Sequence, residues 1–180
     1  MNSLEHPNLI DPLDHLSLPS NNSTTTPHPI VPELLVPHLK SNTKIGAIKE
    51  LVDLLCQAGY VQDGLLFLQS VLTRENLEST IIGPNIALPH ARSQSVSHLG
   101  MALGLSPTII NFPSGDKRAQ INIVCLVAAP LDTPGLHLDL MKFLARRFAM
   151  PGFIEAMCQT TTKETIYQLL DPATRLTHLV

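Results

Sequence analysis

The amino-acid sequence predicts an α/β fold, in which a mixed sheet, five-stranded or similar, is flanked by helices on both sides. Residues 121–128 form a nearly continuous apolar run, which is typical of a strand buried on both faces. Segments with apolar residues at helical spacing lie before and after this run. Apolar residues make up 44% of the chain and aromatic residues 4%, so we expect a sizeable and mainly aliphatic core.

The chain is long enough for one domain with an extension. Its 180 residues fall within the range of a single domain, and a second full domain is not expected. Residues 1–30 are rich in Asn, Ser, Thr and Pro and contain too little apolar surface to bury a face. We therefore predict a disordered leader over residues 1–30 and a folded domain over residues 31–175.

Two helices are predicted in the first half of this domain. Thr43 offers a side-chain cap to the first helix, and Gly59 provides the residue at which it stops. The inward stripe of this helix consists of Ile45, Ile48, Leu51, Val52 and Leu55. A second helix is predicted over residues 65–72.

Short strands are predicted to follow. Gly83-Pro84-Asn85 has the composition of a turn and leads into a strand over residues 86–88. Pro89 favours an extended conformation for the residue before it, so His90 is expected at the end of that strand. Further strands are predicted over residues 99–105 and 109–112.

Three helices are predicted after the buried strand. Pro134-Gly135 opens the first of them. Its inward positions are predicted to be Leu138, Met141, Leu144 and Phe148. Two shorter helices follow over residues 153–159 and 163–170, and a capping box of Thr161 and Glu164 introduces the last one.

Composition argues against several classes of protein. The net charge of −3 and a pI near 6.2 lack the basic footprint of a nucleic-acid-binding protein. No apolar stretch approaches the ~20 residues that cross a bilayer, so we expect no membrane insertion and a cytoplasmic location. Cys56, Cys125 and Cys158 show no paired spacing and are predicted to be buried free thiols. Neither a metal nor a cofactor is predicted, because no Cys/His cluster or HExxH motif is present.

His90 and His137 are the two histidines of the domain whose predicted positions suit chemistry. A neutral imidazole can take up and release a phosphoryl group near pH 7. A helix beginning at Leu136-His137 would direct backbone N–H groups at such an anion, and Arg74 could add a fork of donors. From spacing alone, however, a structural strand-end histidine and a helix-capping histidine are the commoner situation.

An ordered series of motifs resembles one protein family. Residues 74–80, Arg-Glu-Asn-Leu-Glu-Ser-Thr, precede Gly83 and then Ile-Ala-Leu-Pro-His-Ala-Arg at residues 86–92. This series resembles the signature RE…ST-G-I-G-N-G-I-A-[IL]-P-H-[AG]-R of the fructose/mannitol-type (type 2) enzyme IIA domains of the bacterial phosphoenolpyruvate-dependent sugar phosphotransferase system. Nitrogen-regulatory IIA proteins belong to the same family. The apolar strand ending in Ala-Ala-Pro at residues 128–130 and the helix motif that begins at His137 are also similar.

The resemblance implies a role for each candidate residue. By this likeness, His90 would accept a phosphoryl group from the carrier protein HPr and pass it to a cysteine or histidine of a IIB domain. His137 and Arg74 match positions that surround the phosphohistidine. Thr80 and Arg92 are further candidates for the phosphate environment, although Thr80 could equally make a local hydrogen bond at its turn.

The turn before His90 departs from the family signature. The family has Gly, Asn and Gly where this chain has Ile81, Pro84 and Asn85. Glycine permits a positive φ, which Ile81 disfavours, and Pro84 has no donor N–H. Asn85 tolerates the left-handed region and is expected to replace the second glycine.

Three functions follow from these observations. The first is a phosphocarrier that serves a sugar permease through a IIB domain. The second is a regulatory module of the nitrogen-regulatory type, in which the charge on phosphorylated His90 alters docking to a regulatory protein. The third is a domain that has inherited the fold without phosphate chemistry.

Overall fold

The computed structural model describes residues 29–114 and 117–171. Within these ranges the helices are α1 (Lys44–Gln57), α2 (Gly64–Leu77), α3 (Pro134–Phe148), α4 (Phe153–Cys158) and α5 (Lys163–Leu170). The strands are β1 (Leu35–Val36), β2 (Ile81–Gly83), β3 (Asn85–Ala87), β4 (His90–Ser93), β5 (Gly100–Ser114) and β6 (Lys117–Pro130). A short 3-10 helix, Pro32–Leu34, precedes β1.

Most of the predicted leader lies outside the described residues, but its last two residues belong to the fold. The Pro29 carbonyl accepts a hydrogen bond from the Met101 N–H at 2.8 Å. The Ile30 side chain is buried in the core. The chain therefore packs against β5 from Pro29 onward, slightly before the predicted start of the domain at residue 31.

The six described strands form one mixed sheet. Their order is β1-β5-β6-β3-β2, and β4 also pairs with β6. β5 and β6 are antiparallel, whereas β3 and β4 both run parallel to β6. Ala87 of β3 lies opposite Val124, and His90 of β4 lies opposite Val127. β3 and β4 thus lie one after the other along the same side of β6.

His90 is therefore the first residue of a strand, and the prediction that it ends one is wrong. Pro89 interrupts the ladder because it has no N–H, but its carbonyl accepts a hydrogen bond from the Val127 N–H at 3.0 Å. This bond keeps the chain alongside β6 across the interruption.

Helices cover both faces of the sheet, which confirms the predicted α/β architecture. Val124 and Leu126 of β6 belong to the core formed with α1 and α2. Cys125 and Val127 belong to the core formed with α3, α4 and α5. Successive residues of a strand point to opposite faces, so β6 is buried on both sides as predicted.

α1 begins and ends where the sequence predicts. The Thr43 hydroxyl accepts a hydrogen bond from the Gly46 N–H at 3.2 Å, and Gly59 adopts a φ of 80° after the last turn. The inward stripe differs at one position, because Ile45 is 58% exposed and Ala47 is buried instead. Ile45 lies in the first turn, where it lines a surface pocket and not the core.

α2 is longer than the predicted range of residues 65–72. It begins after Asp63, whose carboxylate accepts a hydrogen bond from the Leu66 N–H at 2.9 Å. It ends only at Leu77, five residues later than predicted. The last turn carries Arg74 and Glu75, and these charged residues obscure the apolar periodicity even though Glu75 is buried.

The second half of the chain shows two further differences. The strands predicted over residues 99–105 and 109–112 are one strand, β5, whose pairing with β6 is irregular between Leu105 and Ile110. In α3 the buried residues include Leu140 and Phe143, whereas Leu138 is 54% exposed. Leu138 lies two residues before Leu140, which is about 200° of rotation around the helix, so both cannot face the core.

The cap of α5 is also shifted by one residue. The Thr162 hydroxyl accepts a hydrogen bond from the Thr165 N–H at 3.2 Å, so Thr162 is the N-cap and the predicted box from Thr161 is wrong. Among the cysteines only Cys125 is fully buried, whereas Cys158 is exposed. Within residues 29–114 and 117–171, no helix combines the length and the apolar character that crossing a bilayer requires.

The β2–β3 hairpin accommodates the departures from the family signature. Asn85 adopts a left-handed conformation with a φ of 66°, as the sequence predicts. Ile81 has no positive φ, because it lies in β2 opposite Ala87. The absence of glycine at Ile81 therefore introduces no backbone strain.

Candidate functional site

An open groove of about 650 Å³ lies where α2, β4 and the start of α3 meet. It is lined by Leu66, Gln69, Ser70, Thr73, Arg74, Leu77, His90, Ala91, Arg92, Leu131 and His137. The groove thus brings together four of the predicted site residues, His90, His137, Arg74 and Arg92. Its described lining contains two arginines and no acidic side chain, so the groove favours an anionic ligand.

His90 is held by a hydrogen bond to its own backbone segment. Its Nδ1 atom lies 2.9 Å from the Leu88 carbonyl oxygen. A carbonyl oxygen can only accept, so Nδ1 carries the proton of the neutral ring and Nε2 carries the lone pair. The same bond stabilises the positive charge that develops on the ring when Nε2 attacks an electrophile. In the neutral ring, Nε2 is therefore the nitrogen of His90 that remains available to an electrophile.

His137 lies beside His90 in the groove. The two ring centroids are 5.7 Å apart, and the ring planes are inclined by 42°. Burial lowers the pKa of His137, and the nearby His90 and Arg92 lower this pKa further. Its Nε2 atom is buried and has no hydrogen-bond partner among the described residues. The lowered pKa favours the neutral form of the His137 ring, whose Nε2 lies buried beside the groove.

The backbone at His137 does not have the predicted role. α3 begins at Pro134, and the His137 N–H already donates to the Thr133 carbonyl at 3.4 Å. The prediction that Pro134-Gly135 opens the helix is confirmed, because Pro134 occupies the first helical position, which suits proline, and the alternative start at Leu136-His137 is wrong. It is therefore the side chain of His137, and not its amide, that lines the groove.

Arg74 and Arg92 retain donors for a ligand. Arg74 Nη1 donates to the Glu78 carbonyl at 3.0 Å, and Arg92 Nη1 donates to the Leu131 carbonyl at 3.4 Å. Each bond uses one of the five N–H donors of a guanidinium group and fixes the side chain at the groove. Neither arginine forms an ion pair with a carboxylate of the described residues. Both charges are therefore available to an anion.

Thr80 does not line the groove. Its side chain is buried, and its hydroxyl donates to Oε2 of Glu75. The Thr80 N–H donates to Oε1 of the same carboxylate at 3.3 Å. The local hydrogen bonding that the sequence left open for Thr80 is thus the arrangement found, and no contact with a ligand in the groove follows.

The sequence did not predict the apolar residues around the groove. Leu66, Leu77 and Leu131 all line it and are exposed, with Leu77 at 80%. Leu77 lies beyond the predicted end of the second helix, and so the prediction did not place it on one face with Arg74. The available signal was the spacing of residues 66, 70, 74 and 77, which share one face once the helix is extended to Leu77.

The arrangement suits the uptake of a phosphoryl group. The group carries its negative charge on three equatorial oxygens, and positioned donors stabilise that charge in the transition state. Arg74 and Arg92 are donors of this kind in the groove that contains His90, and His137 lines the same groove. An imidazole that attacks through its lone pair needs no separate base.

Comparison with known proteins identifies one family. Residues 30–172 match the family model "Phosphoenolpyruvate-dependent sugar phosphotransferase system, EIIA 2". The "PTS system fructose-specific EIIA component" of Haloferax volcanii is 33% identical over 129 residues, covering 71% of this chain and 82% of that protein. A "Nitrogen regulatory protein" of Bradyrhizobium diazoefficiens is 26% identical over 147 residues, covering 81% and 95%. The chain also matches 23% of the length of the "PTS system fructose-specific EIIABC component" of Bacillus subtilis, with 27% identity over 146 residues, which cover 78% of this chain.

Solved structures share the fold. The crystal structure of IIA mannitol from Escherichia coli aligns with a TM-score of 0.67 and 25% identity, covering 79% of this chain and 99% of that one. The complex of enzyme IIA mannitol and phosphorylated enzyme IIB mannitol from Escherichia coli aligns with a TM-score of 0.66 and 24% identity, covering 78% and 96%. Because the family model matches most of the chain and the fold agrees with it, this protein belongs to the EIIA 2 family of the phosphoenolpyruvate-dependent sugar phosphotransferase system.

Proposed function

We propose that this protein is a phosphocarrier that accepts a phosphoryl group on Nε2 of His90 and passes it to a IIB component. The observation that supports this best is the 2.9 Å hydrogen bond between Nδ1 of His90 and the Leu88 carbonyl, which leaves the Nε2 lone pair in the groove. An HPr-like carrier is the proposed donor, since the chain belongs to a phosphotransferase family.

The transfer is a displacement at phosphorus. The Nε2 lone pair of His90 forms the new N–P bond, while the bond between phosphorus and the donor breaks and its electron pair stays with the donor. Arg74 and Arg92 neutralise charge on the phosphoryl oxygens during this step. The reverse displacement by a nucleophile of the IIB component, a cysteine or histidine, regenerates neutral His90.

A protein partner fits the groove better than a free metabolite. The groove is open, and the exposed Leu66, Leu77 and Leu131 surround its charged centre. Exposed apolar residues around a polar site are typical of a protein–protein interface. The related IIA mannitol of Escherichia coli forms a complex with phosphorylated enzyme IIB mannitol.

A regulatory function is the second candidate. The similarity to a nitrogen regulatory protein covers 95% of that relative, so the regulatory branch is matched along nearly its full length. In that case phosphorylation of His90 would change docking to a regulatory protein through the added negative charge. The two functions differ in whether the phosphoryl group leaves His90 for a IIB component.

Reconstituted transfer tests both functions. The protein is incubated with phosphoenolpyruvate, enzyme I and HPr, and acid-labile, alkali-stable phosphate is measured on the parent and on His90→Ala. We expect label on the parent only, and equal labelling of His90→Ala would refute the assignment. Addition of a cognate IIB should then remove the label, whereas label that persists on His90 would favour the regulatory function.

A further inference from the structure

A buried ion pair joins Lys44, at the start of α1, to Glu75 in the last turn of α2. Oε1 of Glu75 is 2.9 Å from Nζ of Lys44, and both side chains are largely shielded from solvent. The Lys44 ammonium also lies 4.8 Å from the centre of the Phe112 ring. Neither charge lines the groove that contains His90 and the two arginines. The phosphoryl-transfer step proposed above does not use either group.

Glu75 forms two hydrogen bonds with Thr80, the residue immediately before β2. Its Oε2 accepts the Thr80 hydroxyl, and its Oε1 accepts the Thr80 N–H at 3.3 Å. All polar atoms of this cluster are thus paired, as burial requires. Thr80 is fixed both through its backbone and through its side chain.

Thr80 is connected to His90 through a single residue. The Thr80 carbonyl accepts a hydrogen bond from the Leu88 N–H at 2.9 Å. The carbonyl of the same Leu88 accepts the Nδ1 proton of His90, also at 2.9 Å. Hydrogen bonds linked through the backbones of Thr80 and Leu88 therefore connect the Glu75 carboxylate to the imidazole of His90.

Leu88 depends on this series because it lies between two strands. The pairing of β3 with β6 ends at Ala87, and that of β4 begins at His90. Pro89 has no N–H, so Leu88 and Pro89 together have one backbone donor, and that donor bonds to Thr80. The Leu88–Pro89 segment is thus held at two points, by the Thr80 carbonyl at the Leu88 N–H and by the Val127 N–H at the Pro89 carbonyl, and the bond to Thr80 is the one made by Leu88 itself.

We propose that Glu75 and Thr80 are positioning residues for phosphoryl transfer. They hold Leu88 so that its carbonyl keeps Nδ1 of His90 protonated and Nε2 directed into the groove. The effect on transfer rests on the proposed function of His90, whereas the effect on the tautomer does not. Small displacements of a reacting group lower rates strongly, so losing this support is expected to slow transfer roughly tenfold to a hundredfold.

The test uses Thr80→Val, Thr80→Ser and Glu75→Gln in the full chain. Thr80→Val removes the hydroxyl at constant shape, while Thr80→Ser keeps it. Thr162→Val is the matched control, because it removes a threonine side-chain bond at the start of α5 and does not touch Leu88. Two quantities are measured: the His90 tautomer by long-range 1H–15N NMR of the unphosphorylated protein, and the rate of phosphorylation by phospho-HPr.

We expect the parent, Thr80→Ser and Thr162→Val to show the Nδ1-protonated tautomer and similar rates. Thr80→Val and Glu75→Gln should show a mixture of tautomers and a lower kcat, with KM for phospho-HPr little changed because the groove lining is intact. Parental tautomer and rate in both variants would overturn the proposal. If Thr80→Val does not fold, Glu75→Gln against the parent decides by the same criteria. If the parent takes up no phosphate, the proposed function fails, and the tautomer comparison still decides this inference.

Discussion

Nε2 of His137 is buried without a hydrogen-bond partner in the described part of the chain, and its ring lies 5.7 Å, centre to centre, from the ring of His90. Burial and the neighbouring His90 and Arg92 lower the pKa of His137 below 6.5, so the ring is neutral when His90 carries no phosphate. A phosphoryl group on His90 brings about −1.5 to −2 charges into the same groove at neutral pH. Unphosphorylated His90 lowers the pKa of His137, whereas the negative charge of phosphorylated His90 acts to raise it.

The pKa of His137 is therefore expected to rise on phosphorylation of His90. Negative charge favours the protonated imidazole, which can donate a hydrogen bond from Nε2 to a phosphoryl oxygen. Titration of the His137 ring by NMR, before and after phosphorylation, measures the change. A pKa above 6.5 in the free protein, or one that phosphorylation leaves unmoved, would contradict this arrangement.

Arg74→Ala is expected to slow phosphorylation of His90 by roughly tenfold to a thousandfold, because it removes a fixed positive donor from the groove. Stability should change little, since Arg74 bonds only one carbonyl at the end of α2. Rates with phospho-HPr measure the effect. Arg146→Ala is the control, because Arg146 is exposed on α3 outside the groove. An equal loss of phosphorylation rate in both variants would contradict a specific role for Arg74 and indicate a general effect of protein charge on docking to phospho-HPr.

Arg147→Met is expected to destabilise the fold without altering His90. Arg147 Nε donates to the Leu169 carbonyl and Nη2 to the Asp171 carbonyl, both at 2.8 Å, so the side chain closes the end of α5. Loss of these two hydrogen bonds, of which the one to Leu169 is buried, should lower the free energy of unfolding, measured in urea, by about 2–3 kcal/mol. Arg146→Met, at the exposed neighbour, should stay within about 0.5 kcal/mol of the parent.

Asn85→Ala tests the turn that departs from the family signature. Asn85 has a φ of 66°, which costs an alanine about 1–2 kcal/mol relative to a residue that accepts the left-handed region. Asn85→Gly should be close to the parent in stability, because glycine adopts this conformation readily. Thermal unfolding of both variants provides the comparison. Equal stability of the alanine and glycine variants would contradict the left-handed conformation.

The sequence allowed the fold class to be predicted, and the reasons are local. β6 is a long apolar run, Thr43 and Gly59 mark the ends of α1, and Asn85 tolerates a positive φ. The motif around His90 and the motif around His137 are far apart in the chain, so only the family resemblance suggested that they meet. The structure brings their rings together through β4 and the start of α3.

Other features could not be predicted because they depend on tertiary contacts. Charged residues at the end of α2 conceal a helical turn, yet Glu75 is buried there against Lys44 and Thr80. Thr80 was a candidate for the groove, but its hydroxyl donates to the buried Glu75 carboxylate, and Thr80 does not line the groove. The sequence does not distinguish exposed Leu77 from a core leucine, because its exposure depends on how α2 is oriented against the sheet.

The most direct test of the central claim is to locate the phosphoryl group on the protein. After phosphorylation by phospho-HPr, 15N-histidine-labelled protein is examined by 31P and long-range 1H–15N NMR at alkaline pH. The account predicts coupling of phosphorus to Nε2 of His90, because Nδ1 faces the Leu88 carbonyl in the unphosphorylated protein. Phosphorus coupled to Nδ1 of His90, or to any atom of His137, would contradict it.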